Sequence, residues 1–196
     1  MSNFISIYSM PFISDLLTRH EADLKSAINN LTYLEIKEEG KIEQIKSSLK
    51  RIHLLEPVQF GEIKLKTHQY EQRPYNMARQ IAGLATNVYI LVFSVPYTGN
   101  SELFHFHPMN GMTFSSSDRG VLLPDYDDEL TVEVEVDSLD KVDSGKKNAE
   151  GLLAMTKRLI ALNNNEINAW NARQNAFIDA ELPAKRVQLA KIYGNP

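Results

Sequence analysis

Apolar positions recur every three or four residues at both ends of this chain and every second residue in its middle, which predicts helices flanking a sheet. Ser14-Asp15 offers a helix start, followed at helical spacing by Leu16, Leu17, Leu24, Ala27, Ile28 and Leu31. Ile42, Ile45, Leu49 and Ile52 repeat the spacing until Pro57 ends it, with Gly40 marking the start. The period then falls to two. Val58 and Phe60, then Ile63 and Leu65 after Gly61 resets the phase, predict strands, whereas residues 71–87 fix no single element. The run from Tyr89 to Val95 predicts a strand covered on both faces that stops at Pro96, turns at Thr98-Gly99-Asn100, and restarts over 103–107. Further strands are predicted near 112–114 and 121–123. In the next one, Leu130, Val132, Val134 and Val136 point inward and Thr131, Glu133 and Glu135 outward.

Beyond a polar stretch at 137–147 with Ser144-Gly145 as its pivot, Leu152, Met155, Leu159, Leu162, Ile167, Trp170, Phe177, Ile178, Val187, Leu189 and Ile192 form a long helical stripe. Asparagine caps helices better than it fills them, so Asn163-Asn164-Asn165 predicts a break, and Pro183 interrupts the stripe again. The expected class is α+β: an antiparallel sheet, an N-terminal helical hairpin and a long C-terminal helical arm. The expected organisation is an α+β domain over 1–145 and an arm over 146–196 that packs on it or on a partner chain. Leu159, Ile167, Trp170, Phe177 and Ile178 are the candidate interface residues, because aromatic and aliphatic anchors on one stripe carry association energy.

At 196 residues and 43% hydrophobic the chain can bury a core without staples. It has no cysteine, which excludes disulfides and thiolate chemistry and fits a reducing compartment. The N-terminus lacks a basic, then apolar, signal pattern and no run reaches membrane-spanning length, so the expected place is the cytoplasm, without membrane contact. A net charge of -4 argues against general nucleic-acid binding. Lys41, Lys46, Lys50 and Arg51 are the candidate phosphate-contacting residues, but glutamates interleave with them as on a solvated helix face.

His105-Phe106-His107 would place two imidazoles on one strand face and makes them the candidate metal ligands, with His68, Asp125, Asp127 or Asp128 as a third; this is the alternative reading, a metal-dependent hydrolase. Pro124-Asp125 with Glu133 and Glu135 imitates the acidic part of a divalent-cation nuclease site but lacks its lysine. No phosphate loop or nucleophile elbow occurs, and no cofactor is implied.

The stretch Val92-Phe93-Ser94-Val95-Pro96-Tyr97-Thr98-Gly99-Asn100-Ser101-Glu102-Leu103-Phe104, with Pro108 and a turn at Arg119-Gly120 beyond it, resembles a segment of a group of uncharacterised bacterial proteins. In that group a strand ends in Pro-Phe-Thr-Gly-Asp and continues into Leu-Phe. Glu166-Ile-Asn-Ala-Trp170-Asn171 and Ala184-Lys185-Arg186-Val-Gln-Leu189 stand where the group has an acidic-x-aromatic-Asn stretch and an Arg-rich end, and the resemblance spans residues 88–192. It implies the non-catalytic N-terminal module of a polypeptide that carries a restriction-endonuclease-like nuclease. Such a module would serve sensing, assembly or control in antiviral defence or nucleic-acid processing, as a homo-oligomer or with a partner protein. His105 and His107 fall where the group has no metal ligand.

Overall fold

The helical and strand patterns are realised around one long helix. In the computed structural model, residues 4–73, 86–109, 120–124 and 128–194 are described. Strand β1 (Phe4–Ile5) precedes helices α1 (Ile13–Asn29), α2 (Tyr33–Ile36) and α3 (Glu39–His53). Strands β2 (Gln59–Phe60), β3 (Lys64–Arg73), β4 (Thr86–Thr98), β5 (Val121–Leu122) and β6 (Glu129–Val136) follow, and α4 (Val142–Tyr193) closes the sequence of elements. The fold is α+β with antiparallel sheets, as the patterning predicts.

Strand β4 is the centre of the main sheet. It pairs with β6 along one side and with β3, then β2, along the other, every pair antiparallel. Leu91, Phe93 and Val95 of β4 and Leu130, Val132, Val134 and Val136 of β6 turn one face toward α4 and are buried. Burial of each such side chain contributes about 1.5–3 kcal/mol. On the other face Val88 and Val92 are buried while Ile90 and Ser94 are half-buried.

The strand does not stop at Pro96. The Pro96 carbonyl accepts the Gly61 N–H at 2.7 Å, so its nitrogen faces the same side, at the gap between β2 and β3 where no ladder donor is needed. Tyr97 N–H then bonds the Asp128 carbonyl on the other side, and pairing runs on to Thr98. The chain turns at Gly99, whose φ of +98° suits glycine, and a Cβ there would lie 2.3 Å from the Pro57 oxygen. The expected strand over 103–107 is instead a 3-10 turn, Ser101–His105, opened by Asn100, whose side chain accepts the Glu102 N–H at 2.8 Å. The strand expected near 112–114 lies outside the described residues.

Helix α4 spans 52 residues without a break, about 78 Å at 1.5 Å per residue. The break expected at Asn163-Asn164-Asn165 is absent because two of these side chains serve distant partners rather than their own helix. Asn163 donates through Nδ2 to the carbonyls of Leu103 and Phe106, both at 2.9 Å. Asn164 donates to the Val58 carbonyl at 2.7 Å and accepts the Val58 N–H at 2.9 Å. Asn171 does the same to Leu55, at 2.7 and 3.2 Å, and buried Thr156 accepts the Leu122 N–H at 2.9 Å. Gly145 is no pivot either. It lies in the first turns of α4, where a Cβ would meet Leu91 Cδ1 at 2.6 Å, and so lets the helix descend onto the sheet. Pro183 stays inside the helix on its exposed side.

Two apolar clusters result. The N-terminal part of α4 and the start of α1 complete the core on the sheet, through Ala149, Leu153, Leu159, Ile167 and Trp170. Farther along, Ile178 and Leu182 pack with Leu24 and Ile28 of α1 and Leu49 of α3.

Candidate functional site

Four of the five residues expected at an interface lie inside the chain's own cores. Leu159, Ile167 and Ile178 are fully buried, Trp170 is 2% exposed and Phe177 is half-buried. In this arrangement their surface is taken by the chain's own sheet and helices. The stripe to which they belong does not end with them. From Ile178 it continues through Leu182 and Leu189 to Ile192 and Tyr193, at steps of three, four and seven residues, and the exposures rise from 0, 2 and 9% to 60 and 66%. Helix α4 outruns the helices that cover it.

The end of α4 meets α2 there. Leu34 on α2 is 69% exposed, and the Tyr33 and Tyr193 rings stack at 6.5 Å. A groove of about 480 Å³ opens between them, lined by Leu31, Tyr33, Leu34, Lys185, Leu189 and Tyr193 among others. Lys185 Nζ sits 3.1 Å from the Asn29 carbonyl at the end of α1. On the other side of α4, Ile42 of α3 faces Pro183, Val187 and Ala190 across a second hollow of about 350 Å³. Leu34 and Tyr193 are not set apart by local pattern: one sits in the short apolar stretch Tyr33-Leu34-Glu35-Ile36 between the two helical repeats, and the other sits past the last full repeat of the stripe. Val187 and Ile192 were on the stripe, with nothing local to distinguish them from its buried members.

The basic candidates are largely engaged within the chain. Lys46 and Lys50 converge on Asp179 of α4, at 2.8 and 3.3 Å, and Lys41 pairs with Glu38 at 3.1 Å. The hydrogen bond from Lys46 holds the Asp179 carboxyl below its usual range and lifts Lys46 above its own. Arg51 lines a shallow surface hollow with Glu43, Gln44, Ser47 and Ser48. Through Asp179, Lys46 and Lys50 brace α3 to α4.

The two histidines do not share a strand face. His105 is exposed at the end of the 3-10 turn. The His107 backbone bridges to α1's entry, accepting the Ile13 N–H and donating to the Pro11 carbonyl, both at 2.9 Å. Its ring stands edge-on to Phe12, with Nδ1 2.6 Å from the Pro108 carbonyl. Of the third-ligand candidates, His68 is exposed on β3, and Asp125 and Asp127 lie outside the described residues. Among the described residues no three histidine or acidic side chains stand close enough to hold a metal ion. Glu133 and Glu135 occupy the outward face of β6, opposite Val92 and Ile90.

No family model, curated protein or solved structure matches the chain. Among the described residues no helix is long and apolar enough to cross a membrane.

Proposed function

We propose that the chain is a non-catalytic interaction and oligomerisation module, a sensing or control element of a bacterial defence or nucleic-acid-processing protein. The observation that supports it is the stripe on α4 that runs past its own cover to leave Ile192 and Tyr193 exposed, with Tyr193 and the exposed Leu34 of α2 lining one groove. Contiguous exposed apolar surface on an otherwise buried seam favours association. Placement in a defence protein follows from the sequence resemblance alone.

The test is mass against concentration, by sedimentation velocity, for the native chain and for Ile192→Asp. A mass that rises with concentration, and falls back in the variant at unchanged thermal stability, is the expected result. A 22.3 kDa species at every concentration contradicts the proposal.

A further inference from the structure

Strand β3 is an edge strand, paired among the described residues with β4 alone, and the side chains from Lys64 to Gln72 are all exposed. Edge strands usually carry guards against pairing. Of the two lysines on this one, Lys66 is engaged within the sheet, reaching across β4 to Glu129 on β6.

Lys66 is also the bulge, skipped between Leu65, opposite Phe93, and Thr67, opposite Val92. That skip changes which side chains share a face. Leu65 lies with His68 and Tyr70 on the side of Phe93, Leu91 and Tyr89, although Leu65 and Tyr70 are five residues apart. Two copies of β3 laid antiparallel about a two-fold axis through His68 then come into one register. His68 meets His68, Thr67 meets Gln69, each Lys66 is again skipped, Leu65 meets Tyr70, and Lys64 meets Glu71. The strand's two exposed large apolar side chains, 40 and 54% exposed, cover each other, and opposite charges face at both ends. A shift of one place puts Lys64 opposite Tyr70 or Gln72 and separates the apolar pair.

We infer that β3 pairs with β3 of a second copy in this register, joining two sheets into one across a two-fold axis at His68. The inference rests on the oligomerisation reading but uses a surface separate from the end of α4.

Self-paired positions on such an axis have Cα atoms about 4.5–5.5 Å apart, within disulfide reach. The chain has no cysteine to interfere. Under mild oxidation His68→Cys should link into a dimer, whereas Gln72→Cys, about 26 Å from its counterpart at 3.3 Å per residue, should not. Lys64→Glu should weaken dimerisation at least tenfold, and Lys64→Glu with Glu71→Lys should restore it, with circular dichroism confirming that each variant is folded. Association that persists while His68→Cys fails to link, or links no better than Gln72→Cys, overturns this register and leaves the module reading standing. Association insensitive to Ile192→Asp, with His68→Cys linked, keeps the register and removes the α4 end as a contact. A monomer at all concentrations removes both.

Discussion

Asn164 and Asn171 stand two turns apart on α4, and each closes a two-hydrogen-bond ring on the backbone of one residue, Val58 and Leu55 respectively. Seven residues of helix rise about 10.5 Å, and three residues of extended chain span about 10 Å. The two spacings match, so the segment from Leu55 to Val58 is laid straight along the helix. Each asparagine amide takes the place of a neighbouring β-strand there, one donor and one acceptor for one residue. The polar stripe of α4, with Thr156 and Asn163, thus satisfies backbone groups of β5, the 3-10 turn and this strap.

Asn164→Ala and Asn171→Ala should each lower stability by about 2 kcal/mol, because a half-buried N–H and C=O lose their partners together. The two losses should add to within about 0.5 kcal/mol if the clasps act independently. Urea unfolding of the single and double variants checks both statements. Losses under about 0.5 kcal/mol would mean that water replaces the amides at no cost.

Two glycines of the same helix should respond with opposite signs. Gly151→Ala meets nothing within 4 Å and should stabilise by about 1 kcal/mol, the difference in helix propensity. Gly145→Ala gains the same propensity but drives a methyl group into Leu91, and overpacking of about 1–3 kcal/mol should leave it neutral to destabilising by about 2 kcal/mol. Thermal denaturation of the pair separates the two effects.

Stability should fall in two stages on the acid side. Partial burial holds His53 below 6.5, so the unfolded chain takes up the proton first and stability declines as pH falls through 6.5, until the folded imidazole is also protonated. Asp179, held down by Lys46, and Glu129, held down by Lys66, act in the same direction from about pH 4.5 downward. His53→Gln should flatten the first stage and leave the second; Asp179→Asn should reduce only the second. Denaturation midpoints from pH 8 to pH 3 provide the check, and an unchanged first stage in His53→Gln would contradict the assignment.

The alternation at residues 130–136 was legible because one face of β6 meets the core and the other does not, so local pattern and tertiary role agree. The helical spacing of α1, α3 and α4 was legible for the same reason. Asn163-Asn164-Asn165 misled because asparagine's preference for helix ends is a local property, while Val58 lies 106 residues from Asn164 and Leu103 lies 60 from Asn163. Pro96 misled similarly: its missing donor falls opposite the gap between β2 and β3, which no local reading of β4 reveals. The expected interface residues were recognised as one apolar stripe, but how far the chain's own helices cover it depends on where α2 and α3 end. His105-Phe106-His107 alternates like a strand, yet Asn100 caps a 3-10 turn ahead of it.

The central claim concerns association, and sedimentation velocity from about 1 to 100 μM, spanning the weak to moderate range of affinities, tests it most directly. The account requires the mass to rise toward twice 22.3 kDa or beyond as concentration increases. A single 22.3 kDa species across that range, in a chain with an intact folded signal, would contradict it.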